Sequence, residues 1–146
     1  KMAITTAMCN SFKQELLGAV HDLDTNTFKV ALIKPSNSGT YGAAITNYSD
    51  LTGNTDEAVG TNYTAGGQIL GSATISLSGS TAFVDFGDEV FANLTISADG
   101  AIIYNASQAN KAVAVFDFGG TVTSTSGDFT LVFPTADASN AVIRIS

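Results

Sequence analysis

The middle of the chain reads Gly100-Ala101-Ile102-Ile103-Tyr104-Asn105-Ala106-Ser107-Gln108-Ala109-Asn110-Lys111-Ala112-Val113-Ala114-Val115-Phe116-Asp117-Phe118-Gly119. Two apolar segments flank a loop of small and polar residues, which is the pattern of a β-hairpin with a wide turn. Both arms are almost continuously apolar over five or more residues, as strands are when both of their faces are buried. We therefore expect this hairpin to be central, with the other elements packed around it.

Further strands are predicted on both sides of the hairpin in the sequence. The first covers residues 27–34, where Phe28, Val30 and Leu32 share one face. The others follow Gly67 at regular intervals, over residues 68–77, 82–86, 90–96, 128–133 and 141–146. Regular spacing, with Gly, Ser and Asp turns between the strands, is typical of an antiparallel sandwich or barrel. The last strand is short and carries one charge, so we expect it at a sheet edge.

An amphipathic helix is predicted near the N-terminus, over about residues 5–22. Thr5 or Thr6 is placed to cap it, and its apolar residues recur at spacings of three and four. These residues are Met8, Cys9, Phe12, Leu16, Ala19, Val20 and Leu23. We expect the helix to lie across a sheet, and a partner-binding helix is the alternative. The predicted fold class is therefore mainly β, a single antiparallel β-sandwich or barrel domain over residues 1–146 with one N-terminal amphipathic helix.

The segment 36–67 is predicted to be an irregular loop rich in Gly, Asn, Thr and Tyr. A loop of this length within one compact domain is usually functional or interface-forming. Tyr41, Tyr48 and Tyr63 supply rigid amphipathic area of the kind that anchors contacts between subunits, and we take them as the candidate subunit interface. The alternative is that they fix the loop to its own domain.

Composition excludes some classes of partner. The chain has 146 residues, six Lys and Arg against 13 Asp and Glu, and a formal net charge of −7, which argues against binding to nucleic acid. It contains no apolar run near 18 residues and no signal-peptide pattern, so we predict no membrane partner. Only 13% of residues are charged, which suits permanent contact with other subunits. An ordinary secreted β domain is the alternative on composition alone.

No constellation of residues suggests catalysis, a cofactor or a metal. His21 is the only histidine and Cys9 the only cysteine, so neither has the partners that a nucleophilic or metal site requires. His21 is explained by the predicted helix C-terminus, where the dipole favours it, and Cys9 by burial as an inert thiol. We therefore predict that the protein is not an enzyme and holds neither cofactor nor metal.

Six segments carry a family resemblance. They are Met2-Ala3-Ile4-Thr5-Thr6-Ala7-Met8-Cys9-Asn10-Ser11-Phe12-Lys13-Gln14-Glu15-Leu16-Leu17, Phe28-Lys29-Val30-Ala31-Leu32-Ile33, Tyr63-Thr64-Ala65-Gly66-Gly67, Ala101-Ile102-Ile103-Tyr104-Asn105-Ala106-Ser107, Asn110-Lys111-Ala112-Val113-Ala114-Val115-Phe116-Asp117-Phe118-Gly119 and Asp128-Phe129-Thr130-Leu131-Val132-Phe133-Pro134-Thr135-Ala136-Asp137. Together they resemble the small virion structural proteins of marine tailed bacteriophages. The resemblance runs nearly end to end and is weakest over residues 36–62.

The resemblance implies a part of a virion, assembled in the host cytoplasm, and brings no catalytic residues with it. Within a virion it favours a capsid decoration (cement) protein that stabilises the head lattice. The implied partners are the chain itself, as a homo-oligomer for which a trimer is the first guess, and the major capsid protein. A tail or head-to-tail connector component is one alternative. A host-surface carbohydrate-binding module is another, and it would require exposed aromatic rings beside Asp and Asn in the 36–67 loop.

Overall fold

The structure is a computed structural model that describes residues 3–71 and 73–146. Met2, with which the resemblance begins, and Ser72, inside the predicted strand 68–77, lie outside the described residues. Strands account for 46% of the chain and helices for 9%, and the paired strands are antiparallel. The prediction of a mainly β, antiparallel fold is therefore confirmed.

The described strands form two sheets. In chain order the elements are β1 (Ala7–Met8), α1 (Asn10–Leu17), β2 (Phe28–Ile33), α2 (Ser49–Gly53), β3 (Gln68–Ile69), β4 (Thr74–Ser78), β5 (Thr81–Asp85), β6 (Glu89–Asn105), β7 (Lys111–Leu131) and β8 (Ile143–Ile145). The larger sheet has the order β1-β7-β6-β2-β3, and the smaller has the order β4-β5-β8. The short C-terminal strand β8 is an edge strand, as predicted.

The hairpin of β6 and β7 is the centre of the larger sheet. Residues 98–105 and 112–115 are all buried, which confirms that both arms of the predicted hairpin are covered. Each arm is longer than predicted, because the predicted strands 90–96 and 128–133 are continuous with the hairpin arms through residue 131. β6 continues through Gly100, and glycine is needed there because the backbones approach closely: an added Cβ would lie 2.4 Å from the Phe116 carbonyl oxygen.

This long hairpin folds back on itself. In a straight strand, eleven positions span about 36 Å, yet the rings of Phe118 and Phe129 in β7 lie 6.1 Å apart. The pairing of β6 with β7 shifts register between Phe91 and Leu94 and between Ala98 and Gly100, and such bulges bend a strand pair. The distal half of the hairpin therefore turns back toward the half that the larger sheet contains.

Aromatic side chains connect the two sheets. Phe86, just after β5, packs against Phe28 of β2 at 5.5 Å and against Phe133 at 6.4 Å between ring centroids. Phe133 in turn lies 5.7 Å from Phe116 of β7. These rings belong to one continuous cluster of buried side chains that draws on both sheets and on α1.

The N-terminal helix is shorter than predicted. α1 begins after Cys9, with no side-chain cap, and ends before Gly18, so residues 5–8 and 19–22 are not helical. Residues 7–8 form β1 instead, and Thr6 accepts a hydrogen bond from the Asp117 backbone N–H at 2.9 Å rather than capping a helix. Ala19, with φ of 59°, turns the chain away at the other end. Pairing with β7 therefore overrides the helical periodicity of the sequence.

The segment 36–67 is more ordered than the predicted irregular loop. It contains a second short helix, α2, where the sequence predicted only one helix in the chain. Isolated bridges tie it to the larger sheet, pairing Glu57 with Ile33 and Asn47 with Lys111. These bridges join residues that are far apart in the sequence, so local sequence patterns do not predict them.

Candidate functional site

A buried carboxylate organises the first half of the 36–67 loop. Asp56 accepts hydrogen bonds from the Tyr41 hydroxyl at 2.6 Å and from the backbone N–H groups of Ser38 at 2.9 Å and Gly39 at 2.8 Å. The Lys34 ammonium lies 3.4 Å from its other oxygen. Burial alone would raise the pKa of this carboxyl, but the hydrogen bonds outweigh it and lower the pKa from 3.8 to about 2. Asp56 is therefore ionised and serves as the anchor of the loop.

A second carboxylate, that of Glu57, gathers the rest of the loop. It accepts hydrogen bonds from the hydroxyls of Tyr48 and Tyr63 and, at 2.7 Å, from the Gly66 backbone N–H. Burial and the neighbouring carboxylate raise the pKa of both tyrosines well above the usual value. The Tyr48 ring also stacks on Tyr104 at 4.5 Å between centroids. This cluster binds the loop to β6.

The structure thus places all three candidate interface tyrosines against carboxylates of their own chain. Tyr41 is only 1% exposed, and Tyr48 and Tyr63 are half-buried. This is the arrangement of the alternative, in which the tyrosines fix the loop to its own domain, and it presents no exposed aromatic ring that a sugar could stack on. That the loop contacts another subunit stays a prediction. Its most exposed large apolar side chain is Val59, at 90%.

The only histidine is part of a buried polar network. The His21 side chain is fully buried and its Nε2 lies 2.8 Å from the Glu15 carboxylate. Its Nδ1 lies 3.0 Å from the Asn105 amide nitrogen, which also donates to Asn26. The Asn105 carbonyl oxygen accepts from the Ser107 backbone N–H, so the amide orientation is fixed and Nδ1 must be an acceptor. His21 is therefore neutral with its proton on Nε2, and these bonds, rather than the helix dipole, account for its position.

Three other features of the described chain bear on the class of protein. Among residues 3–71 and 73–146, no group of three His, Cys, Asp or Glu side chains is placed to hold a metal ion. Within the same residues, no helix has both the length and the apolar character needed to span a bilayer. Cys9 is buried and unpaired, and burial raises the pKa of its thiol to about 12.

A groove between α1 and β8 is lined by apolar side chains and by two cationic ones. We call it the cationic groove; its volume is about 340 Å³ and it is lined by Met8, Lys13, Leu16, Leu17, Arg144, Ile145 and Ser146. Leu17 is 90% and Ile145 55% exposed. The strand register places Ile145 beside Ala82, and Ala82 beside the exposed Leu77, so one apolar row extends from the groove across the smaller sheet.

A second exposed apolar surface lies on the distal half of the hairpin. We call it the acidic face, formed by Asp88, Val90, Asp128, Thr130 and Val132. Val90 pairs directly with Thr130, and burial alternates from Phe129 to Phe133, so Val132 and Thr130 point outward together. Val90 is 46% and Val132 69% exposed. The exposed Asp88 adjoins Val132, because it accepts the Phe133 backbone N–H at 3.0 Å.

Local sequence patterns indicate one of these two surfaces but not the other. Alternation over 129–133 does separate outward Thr130 and Val132 from inward Phe129, Leu131 and Phe133. The cationic groove has no such local signal, because it joins residues 8–17 to residues 144–146, which meet only in the folded chain.

Comparison with known proteins gives no assignment: no family model, no curated protein and no solved structure matches this chain. Any function must therefore be argued from the geometry of this chain and from the resemblance of its segments.

Proposed function

We propose that this chain is a structural subunit of a bacteriophage virion, and within it a capsid decoration protein that stabilises the head lattice. The observation that carries the proposal is the exposure of large apolar side chains on a chain poor in charge. Leu17, Val59, Leu77 and Val132 are each between 69% and 90% exposed. Contiguous exposed apolar groups such as the row through Leu77 and Ile145 are typical of surfaces that another protein covers. A subunit of an assembly has such a partner.

The polar groups of the molecule agree with a structural role. Three titratable side chains of the kind used in catalysis are engaged in hydrogen bonds that hold segments of the chain together. They are those of Asp56, Glu57 and His21. We propose further that the two sheets are the layers of a β-sandwich, with α1 at its side, because Phe86 and Phe133 pack between them. Small β domains of this kind suit repeated placement on a lattice.

The proposed partners are other copies of this chain and the major capsid protein. A homo-oligomer, with a trimer as first expectation, matches the three-fold positions of a head lattice. The 36–67 loop is proposed to contact the major capsid protein, through the exposed Val59 rather than through the buried ring of Tyr41. The proposal also implies that the protein is assembled into the virion in the host cytoplasm.

The experiment adds the purified protein to heads of the corresponding phage from which it has been removed. We expect saturable binding at hundreds of copies per head, counted by quantitative mass spectrometry, and a higher temperature of DNA release. Saturation at a few copies would instead indicate a connector or tail component. A glycan array and a hydrolase screen, run in parallel, cover the remaining classes; binding to sugar without binding to heads would overturn the proposal.

A further inference from the structure

We infer that copies of this chain associate head to tail, with the acidic face of one copy seated in the cationic groove of the next. The inference deepens the proposed role as a virion subunit and rests on it, because it names the surfaces through which subunits meet.

The charge around the groove selects an acidic occupant. Lys13 and Arg144, two of the six cations of the chain, line the groove, and among the described residues no Asp or Glu side chain lines it. The Lys13 ammonium lies 3.5 Å from Asn10, and the Arg144 guanidinium donates to the Ala138 carbonyl at 2.9 Å. In the described part of the chain neither cation has a carboxylate within ion-pair distance. Neither charge is held in a direct ion pair, and Arg144 acts at longer range on Asp137, whose pKa it helps to lower.

The acidic face has the complementary composition. It presents Val90 and Val132 between Asp88 and Asp128, together with Thr130, and the exposed Val122 adjoins it. Its valines match the apolar floor of the groove, which Leu16 and Ile145 contribute. Docking would bury apolar area on both sides and place carboxylates near Lys13 and Arg144, an arrangement that favours association and fixes its orientation.

The same charges exclude the symmetric alternatives. Two grooves facing each other would bring the cations of one copy against the cations of the other, and two acidic faces would bring carboxylates against carboxylates, both repulsive. Of these three arrangements, the contact of groove with face is the one that pairs unlike charges. Such a heterologous contact closes into a ring when the rotation between copies allows it, and a ring of three agrees with the expected trimer; otherwise it gives an open filament.

The test is sedimentation velocity over a range of protein concentrations with charge-exchange variants. Lys13→Glu and Asp128→Lys should each raise the dissociation constant about tenfold. The double variant again presents unlike charges, so we expect its dissociation constant to return to within about threefold of the original. Added salt should weaken the original association. Asp128→Asn keeps the oxygen that accepts the Asn93 backbone N–H and should weaken association less than Asp128→Lys.

An apolar pair supplies the matched control. Leu17→Asp should raise the dissociation constant about thirtyfold or more, as loss of a central apolar anchor does. Val59→Asp changes a side chain that is equally exposed, at 90% for both, but lies outside the two surfaces, and should have no effect. Unchanged thermal midpoints would show that all variants fold.

Several results would overturn the inference. They are a monomer at tens of micromolar, an oligomer that ignores these substitutions, and an oligomer that Val59→Asp breaks while Leu17→Asp does not. In the last case the 36–67 loop is the interface. Binding of the same variants to purified heads separates the two proposals: a monomer that still binds heads ends the head-to-tail contact but leaves the virion role standing.

Discussion

A single imidazole, that of His21, joins α1, the turn at residues 22–27 and the end of β6. Protonation at Nδ1 would set an N–H against the Asn105 amide nitrogen, which already uses both hydrogens. Burial lowers the pKa of His21, and this outweighs the hydrogen bond and charge of Glu15, while Lys111 adds to the lowering. The unfolded chain therefore binds this proton more readily than the folded one, and stability is lost as pH falls below about 6.5.

We accordingly expect the free energy of unfolding, measured in urea, to be lower at pH 5 than at pH 7.5. His21→Gln should be less stable at pH 7.5 but should show a smaller change over this interval. An equal change in both proteins would mean that carboxylates, not His21, set the pH dependence.

A substitution at Tyr41 tests how much its hydrogen bond to the buried Asp56 carboxylate contributes to stability. Tyr41→Phe removes a donor to an ionised group and should cost about 1.5–3 kcal/mol of stability. Tyr104→Phe is the control, because its hydroxyl donates to the neutral Gly66 carbonyl at 2.6 Å and its loss should cost about 0.5–1.5 kcal/mol. Chemical denaturation measures both, and an equal loss in the two variants would show that the charge of Asp56 adds nothing.

Tyr41→Phe should also change how the free energy of unfolding depends on pH in the acid range. Since the folded pKa of Asp56 is about 2 and its ordinary value is 3.8, its stabilisation is complete above about pH 5 and is lost progressively as pH falls toward 2. Removing the Tyr41 donor should raise the folded pKa and flatten this part of the stability profile.

At the scale of elements, α1 offers a matched pair of positions. Phe12 is fully buried, whereas Leu17 at the end of the same helix is 90% exposed. Phe12→Ala should cost about 3–5 kcal/mol of unfolding free energy, and Leu17→Ala less than about 0.5 kcal/mol. A neutral Phe12→Ala would mean that α1 is a docking element rather than part of the core.

A glycine at the start of β3 offers the second pair. Gly67 has φ of +76° and an added Cβ would lie 1.7 Å from the Val30 carbonyl oxygen, whereas Gly119 has the same φ with open space around it. Gly119→Ala should cost about 1–2 kcal/mol for the left-handed conformation alone. Gly67→Ala must in addition displace β2, so we expect a loss well beyond that, read from thermal midpoints. Equal losses would show that β3 shifts freely.

How far the elements could be read from sequence depends on the range of the forces that set them. The apolar runs at 28–33 and 101–105 predict buried strands, and the structure has them. The Asp99-Gly100 pair looks locally like a turn, but long-range pairing carries β6 through it. Likewise the helical periodicity at residues 5–8 is overridden by strand pairing with Ala114 and Val115, about a hundred residues away.

At the scale of the whole molecule, the proposed interaction surfaces are the part that the sequence predicts least. The three tyrosines were correctly located in a loop, but their partners Asp56 and Glu57 could not be assigned without the fold. The cationic groove joins the two ends of the chain, and its charge contrast with the acidic face is a property of the folded surface alone.

Long-range contacts also set how the molecule should fold. Ile4 lies over Gly100, where an added Cβ would be 3.2 Å from its side chain, and it pairs with Tyr41. Domains dominated by such non-local pairings fold in milliseconds to seconds, and closing the longest loops is expected late.

Ile4→Ala should cost about 2–4 kcal/mol and act mainly by speeding unfolding. Ile102→Val, in the central hairpin, should cost about 1 kcal/mol and mainly slow folding. Stopped-flow circular dichroism in urea measures both rates, and an Ile4→Ala variant that folds more slowly but unfolds at the original rate would place the N-terminus in the folding nucleus.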